Sequence, residues 1–152
     1  MSQILLPCLY SFVACVAIGL VFHIQKNHLL LTSLGGALGW GTYLLCGFEN
    51  DLLSYFVATV VISIYAEIMA RVCKVPVTSF LTVAVIPMVP GGGMYYTMEY
   101  CIREEIDLFV QVGLHTIGIA VAIALGIVTV SSCVRLWKMI KHPENFYKEQ
   151  WN

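Results

Sequence analysis

The sequence predicts an all-α integral membrane protein with about five transmembrane helices, and three observations lead to that prediction. Of the 152 residues, 59% are hydrophobic and only 11% are charged, whereas about 25% of residues are charged in a soluble domain. The mean hydropathy is +0.84. Short polar links separate apolar runs of roughly the 20 residues that a helix needs to cross the hydrocarbon. This composition leaves almost no extramembrane domain and argues against nucleic-acid binding.

The predicted spans form one transmembrane domain, residues 1–134, followed by a basic tail, residues 135–152. The spans cover residues 4–24, 29–48, 52–72, 77–102 and 108–133. No Lys or Arg precedes the first span, so it lacks the basic segment of a signal peptide and we expect it to stay in the membrane. The tail mixes basic with aromatic side chains, a composition suited to the headgroup zone.

Small residues recur in two of the predicted spans. Gly35 and Gly39 form a GxxxG pair in the second span, and Gly118, Ala122 and Gly126 repeat at four-residue intervals in the fifth. Such positions allow a neighbouring helix backbone to approach closely. We therefore predict a helix contact along each of these faces.

Basic residues lie mainly in alternate links, which predicts the orientation. Lys26 falls in the first link, Arg71 and Lys74 fall near the third, and the tail adds four more, while only Arg103 lies on the other side. The positive-inside rule then places the amino terminus outside and the carboxyl terminus in the cytoplasm. We expect a multi-pass protein of the inner (cytoplasmic) membrane. A re-entrant fourth span would reverse the tail, and the distribution of charge argues against it.

The fourth span is interrupted near its centre by the sequence PMVPGGG. Pro87 and Pro90 lack a backbone N–H, and Gly91, Gly92 and Gly93 impose no preferred φ, so a continuous helix is not expected there. Irregular backbone within a membrane persists where it is packed in protein or lines a water-filled cavity, and interrupted helices mark binding sites in many transporters. We predict a substrate site here; the alternative is a proline kink that only shapes helix packing.

A half-helix that restarts near Gly92 suits a small carboxylate-bearing solute. Its first amides have no intrahelical acceptor, and they lie at the positive end of the helix dipole, where an anion fits. Tyr95, Tyr96 and Thr97 supply hydroxyl groups one turn further on. These residues, together with the prolines and glycines of the break, make up the predicted substrate-binding set.

The segment IPMVPG at residues 86–91, followed by Tyr95, resembles the signature of the threonine/serine exporter family, in its small-subunit type. Length and span layout extend the resemblance over most of the chain, but only the Pro-x-x-Pro-Gly segment is specific. The residues carried over are Pro87, Pro90, Gly91 and Tyr95. The triple glycine is this chain's own version of the variable positions between them, so the resemblance leaves the substrate open.

The resemblance implies one half of a secondary transporter. In that family the transporter is either one fused chain or two chains, a larger one with a cytoplasmic domain and a small one of about this length. Members are linked to export of threonine and serine, or of succinate in the split form. The implied partner is a larger homologous membrane subunit, and a homo-oligomer is the other assembly that would complete a transport path.

Polar residues of the third span recur every four residues, at Thr59, Ser63, Glu67 and Arg71, and so form one stripe on an otherwise apolar helix. Two interpretations of Glu67 stay open. It forms an interfacial ion pair with Arg71 that fixes this helix end, or it takes part in proton coupling or substrate contact. Either role requires the stripe to face protein or water.

Gln111 and His115 lie one turn apart in the fifth span, beside Thr116. His115 either carries a proton along a polar pathway or hydrogen-bonds across a helix interface. No HExxH motif, Cys-His cluster, nucleophile elbow or P-loop pattern occurs in the sequence. We therefore expect no metal site, no cofactor and no enzymatic activity.

Two functions remain open from the sequence. The first is a transport subunit that holds a small amino acid or dicarboxylate at the broken fourth helix. The second is a structural subunit that stabilises a larger partner through its glycine faces without binding substrate. Five spans are few for a complete alternating-access device, which usually pairs two repeats, so both functions require a partner.

Overall fold

The computed structural model describes residues 2–47 and 50–141, and within these ranges the chain forms helices joined by short links, without strands. The helices are α1 (Ser2–Val21), α2 (Lys26–Cys46), α3 (Asp51–Cys73), α4 (Val77–Val85), α5 (Gly91–Ile102) and α6 (Ile106–Lys141), with a 3-10 turn (Ile86–Met88) after α4. The predicted all-α membrane class is confirmed.

Three described helices are long and apolar enough to cross a membrane: His28–Cys46, Asp51–Cys73 and Ile106–Ile140. A fourth span is obtained if Val77–Met88 and Gly91–Ile102, which are bent by 48° at their junction, are counted as one. The apolar stretch of α1, Leu5–Val21, is shorter than the others. The described residues thus support three or four spans by length and composition, and the predicted count of five is not confirmed.

The predicted boundary between the fifth span and the tail does not coincide with a helix end. Helix α6 runs without interruption from Ile106 to Lys141, so the first residues of the predicted tail continue the helix. Residues 142–152, which complete the tail, lie outside the described part of the chain.

Helices α2, α3 and α4 pack against one another at the centre of the fold, while α1 packs mainly on α2, α6 on α3 and α5 on α6. The central core joins buried side chains of four elements, α3, α4, the 3-10 turn and α6: Ala58, Ile62, Ala84, Met88, Ile119 and Ile123. A second cluster, nearer the α3–α4 link, consists of Ala66, Ala70 and Phe80. Burial of these groups holds α4 against α3, and α4 leads directly to the interrupted segment.

The predicted contact face of α2 is confirmed. Gly35 lies against Ala84 of α4 and Tyr65 of α3, and Gly39 lies against Ile62 of α3. The missing side chains of α2 leave room for side chains of both neighbouring helices, which lets the helices pack closely.

The predicted contact face of α6 is also confirmed. Gly118 lies against Leu52 and Gly126 against Thr59, both on α3, and Ala122 between them is buried. Because Leu52 and Thr59 follow the same order along α3 as Gly118 and Gly126 along α6, the two helices run parallel. The two helices end together, with Arg71 beside Trp137, whereas the first turns of α6 extend beyond the start of α3.

Replacing Gly39 with alanine is expected to lower the free energy of unfolding relative to the matched change Gly41→Ala. A methyl group at Gly39 overlaps the fully buried Ile62, whereas one at Gly41 meets only Cys8 Sγ at 3.6 Å. Both changes raise helix propensity equally, so their difference reports packing, for which overfilling costs about 1 to 3 kcal/mol. Thermal unfolding in detergent measures it, and equal stability of the two variants would contradict the described contact.

Candidate functional site

The interruption predicted at the fourth span is present between α4 and α5. Pro87 lies inside the 3-10 turn, and Val89 is extended, with φ −61° and ψ 130°. Pro90 forms the N-cap of α5. Because both prolines lack an N–H, the helical hydrogen bonds stop at this point, and the chain bends by 48° before α5 begins.

The break lies at the level of the middle of α3. Met88, in the turn, is 1% exposed and packs in the same core cluster as Ile62, Ile119 and Ile123. Ile62 is the central residue of Asp51–Cys73. The break between α4 and α5 therefore lies halfway along the bundle and not at one of its ends.

The three glycines after the break serve close approach and access rather than an unusual backbone angle. None of them has a positive φ. A side chain at Gly93 would overlap Thr116 of α6, whereas Gly91 and Gly92 have nothing within 4 Å of their missing Cβ positions and are exposed. Gly93 allows α5 to pack on α6, and the other two leave the first turn of α5 uncovered.

Backbone amides at this uncovered turn are available to a ligand. The Gly91 N–H donates to the Val89 carbonyl at 2.7 Å, and the Met94 N–H donates to the Pro90 carbonyl at 3.1 Å. Between them, Gly92 and Gly93 occupy first-turn positions, whose N–H groups have no intrahelical acceptor. Together with the helix dipole, they form a local environment that favours an anion such as a carboxylate.

The predicted hydroxyl groups differ in their availability. Thr97 Oγ1 donates to the Gly93 carbonyl at 2.7 Å, so its proton is used within α5. Tyr95 and Tyr96 are 67% and 52% exposed, and their rings meet edge to face with centroids 5.5 Å apart. The two tyrosines therefore present their rings outward beside the break.

Helix α5 is covered on one side only. None of its residues is buried, and its main packing partner among the described helices is α6. Its outward side chains are apolar or aromatic: Met94, Tyr95, Tyr96, Met98 and Ile102. In the single chain, the candidate site is therefore open toward whatever surrounds this face.

The polar stripe of α3 holds a poorly satisfied carboxylate. The Glu67 side chain is 15% exposed, and its Oε2 atom lies 3.7 Å from Arg71 Nη2, which is close enough for charge attraction but too far for a hydrogen bond. Within the described part of the chain, Glu67 Oε2 and the buried Ser63 hydroxyl both lack a hydrogen-bond partner. The Arg71 guanidinium also lies 5.6 Å from the centre of the Trp137 ring of α6.

A second polar group, at the opposite end of α3, includes residues that the sequence interpretation missed. His115 Nε2 of α6 lies 3.9 Å from Asp51 Oδ2, and the Tyr43 hydroxyl of α2 donates to Asp51 Oδ1 at 3.0 Å. The ring of Tyr43 packs on that of Tyr55, with centroids 4.7 Å apart. The short α2–α3 link was the available signal, because it places the end of α2 beside the start of α3.

The two polar groups are separate. Asp51 and Glu67 are sixteen residues apart on one helix, which corresponds to about 24 Å at 1.5 Å per residue. Gln111 is exposed on α6, one turn before His115. The fold therefore gathers Ser63, Glu67 and Arg71 at one end and His115 at the other, and it does not unite the predicted polar residues in one cluster.

Metal-binding groups were not expected, and in the described ranges no cluster of three or more His, Cys, Asp or Glu side chains has the geometry to hold a metal ion. The six cysteines are all free thiols, and Cys15 is buried between helices. Cys15 acts as a small packing residue, whereas Cys101 and Cys133 are exposed.

The comparison with known families identifies the chain. A family profile described as Threonine/Serine exporter, ThrE, matches residues 7–133, a range that includes the break and most of the helical domain. No curated protein and no solved structure matches the chain. With its several apolar helices this is a multi-pass membrane protein, and it belongs to the threonine/serine exporter family.

Proposed function

We propose that the chain is the small subunit of a two-component secondary transporter, and that it holds its solute at the break between α4 and α5. The solutes are threonine and serine, or a dicarboxylate such as succinate. The single observation that carries this proposal is the uncovered first turn of α5, where Gly91 and Gly92 have no neighbouring atoms at their Cβ positions.

A carboxylate is common to the three proposed solutes, and the N–H groups of Gly92 and Gly93 are suited to donate hydrogen bonds to it. Pro87 and Pro90 hold these amides at mid-depth by ending α4 and starting α5. The hydroxyl of Tyr95 supplies a second type of hydrogen-bonding group beside them. The family consists of transporters, and we infer no enzymatic activity for this chain.

A partner is needed to close the site. The apolar outer face of α5 is uncovered in the single chain, and irregular backbone at membrane depth is stable only when protein or a water-filled cavity surrounds it. We propose that a larger homologous subunit covers this face and completes the path, with a second copy of the chain as the alternative occupant.

Proton exchange is the proposed driving step, because the chain carries ionisable groups near both ends of α3. Glu67 lies at the end that bears Arg71 and Lys74, and the His115–Asp51 pair lies at the other. By the positive-inside rule, the end with Lys74 faces the cytoplasm and the amino terminus lies outside. This orientation in the inner membrane is part of the proposal.

Replacing His115 with glutamine and Asp51 with asparagine is expected to lower export by a similar factor, about 3- to 10-fold, and the double variant should be no worse than either single one. The reason is that each side chain acts through the same pair, so a double-mutant cycle should show strong coupling. Initial rates of solute efflux provide the measurement. Additive losses in the double variant would show that the two residues act independently.

A structural subunit without a substrate site is the second candidate. The glycine contacts of α2 and α6 and the apolar face of α5 are what an assembly subunit also needs. The two functions differ in one respect, since a structural subunit tolerates changes at the uncovered Gly92 provided that the complex still assembles.

Efflux of labelled threonine, serine and succinate from cells tests the proposed function. The cells express this chain alone, a candidate large subunit alone, or both, and membrane amounts of each chain are measured in parallel. Export that needs both chains supports the proposal. A complex that assembles without moving any of the three solutes would instead favour the structural function.

A further inference from the structure

A polar cleft lies at the end of the bundle formed by the α1–α2 and α3–α4 links, away from the break. One part has a volume of about 190 Å³ and lies between the α1–α2 link and the start of α4. An adjoining part of about 220 Å³ continues along α4. Both parts share Phe22, Ile24 and Ser79, so they form one cleft, here called the link cleft.

Among the described residues, the link cleft is lined by hydrogen-bonding groups but by no acidic side chain. The first part carries His23, Gln25, His28, Thr32 and Ser79. The second part adds Thr78 and Thr82. Hydroxyl, amide and imidazole groups in the absence of a carboxylate favour an anion over a cation.

His28 is the most informative residue of the link cleft. Its Nδ1 atom is buried and has no hydrogen-bond partner among the described residues, although buried polar atoms in proteins are normally paired. The ring is held edge to face against Phe80, with centroids 6.3 Å apart, and Phe80 is only 1% exposed. The nearby Thr32 hydroxyl uses its proton elsewhere, since it donates to the His28 carbonyl at 2.8 Å.

The backbone and the neighbouring charges favour the same type of ligand. Thr78 and Ser79 belong to the first turn of α4, which begins at Val77, so the positive end of that helix lies at the cleft. Lys74, which caps α3, belongs to the same end of the bundle. Its charge raises the local concentration of anions near the link cleft.

We propose that the link cleft is a second solute site, which binds the carboxylate of the exported solute before the solute reaches the break. The identity of the solute rests on the proposed function, while the anion preference rests on the cleft itself. Helix α4 connects the two sites, since its nine residues span about 13 Å. Thr82 and Val83, on the side of α4 that lines the cleft, continue toward the turn.

Imidazole nitrogen spectra of the full chain, purified in detergent, test the cleft directly. Addition of succinate, and separately of threonine, is expected to shift the His28 Nδ1 resonance in a saturable way and to leave His115 unchanged. The same titration on Ser79→Ala should need about 10-fold more succinate, while the matched variant Thr42→Val, whose hydroxyl bonds within α2 at the far end, should behave as wild type. A His28 resonance that responds to neither solute would overturn the proposal.

Lipid phosphate shares the chemistry of an anion, so a third titration uses phosphatidylglycerol. A response of His28 to phosphatidylglycerol but to neither succinate nor threonine would also overturn the proposal of a solute site. A response to succinate in detergent that contains no anionic lipid supports it.

Transport kinetics separate this proposal from the proposed function. For Ser79→Ala and His28→Phe, which keeps a ring against Phe80, we expect the KM for export to rise about 10-fold with the maximal rate retained. Unchanged KM values in both variants would overturn the link cleft as a solute site while leaving the break unaffected. If no solute is exported by any combination of chains, a saturable succinate response of His28 that persists in Gly92→Leu still supports the cleft.

Discussion

Replacing Gly92 with leucine is expected to lower export of threonine and serine by about 10- to 100-fold without lowering the amount of folded protein in the membrane. A Cβ atom at Gly92 meets no described atom within 4 Å, so we expect the fold to tolerate a side chain there. It would, however, shield the first-turn amides from a carboxylate. Hydrogen bonds to a charged group contribute about 1.5 to 3 kcal/mol, and about 1.4 kcal/mol corresponds to a factor of 10. Efflux of labelled solute measures the loss.

Two controls make the Gly92→Leu result specific. Met98→Leu places the same side chain on the exposed face of the same helix, beyond the first turn, and is expected to retain export within about 2-fold. Gly93→Ala, in contrast, overlaps Thr116 and should weaken the packing of α5 on α6. Co-purification with the partner subunit reports assembly for all three. Normal export by Gly92→Leu would show that the solute does not bind at the break.

Replacing Glu67 with glutamine is expected to lower export by more than 10-fold. The Glu67 carboxylate is 15% exposed and 3.7 Å from Arg71 Nη2, and its buried Oε2 lacks a hydrogen bond to any described residue. A carboxylate in that state is costly to keep within a membrane helix, and intramembrane ionisable residues commonly serve transport. Glutamine keeps the size and polarity but cannot exchange a proton, so the expected loss is one of transport and not of stability. Initial efflux rates measured with and without an imposed proton gradient provide the test.

Helix α5 offers a matched control for Glu67. Glu99 and Arg103 form an ion pair of the same i,i+4 type, with Arg103 Nη2 and Glu99 Oε1 only 2.6 Å apart and more exposed side chains. Solvent-exposed pairs of this kind contribute little to stability, so Glu99→Gln should export at close to the normal rate. Equal export rates for Glu67→Gln and Glu99→Gln would show that Glu67 serves only in an ion pair that fixes the helix end.

Local chemistry made the interrupted helix predictable. Pro87 and Pro90 each remove a donor from the helical ladder, and no tertiary contact is needed to know that the ladder fails between them. The contact faces of α2 and α6 were predictable for a similar reason, because small residues at four-residue spacing leave a strip where a second backbone fits. In both cases the spacing of the residues along the chain is enough to predict the local structure.

Contacts between distant residues were not predictable in the same way. The three glycines after Pro90 look alike in sequence, yet Gly93 packs on Thr116 whereas Gly91 and Gly92 remain open. Only the angle at which α5 meets α6 separates these roles. Thr97 is a similar case, because the sequence alone did not show that its hydroxyl donates to the Gly93 carbonyl within its own helix.

The polar group at the start of α3 shows the same limit. Asp51 reads as part of an acidic link in the sequence, and its contacts with Tyr43 and His115 depend on α2, α3 and α6 meeting at one end. The number of spans was also difficult to predict. Hydropathy counts the first apolar run as a full span, whereas its apolar stretch in α1, Leu5–Val21, falls short of the length of the others.

Equilibrium binding of labelled serine and succinate to the purified complex tests the central claim most directly, because it reports occupancy of the site independently of coupling and rate. The wild-type complex is expected to bind one of the two solutes saturably. The Gly92→Leu complex, at equal purity and subunit ratio, should bind it at least about 10-fold more weakly, as expected for the loss of a hydrogen bond to a charged group. Wild-type affinity in the Gly92→Leu complex would contradict a solute site at the break between α4 and α5.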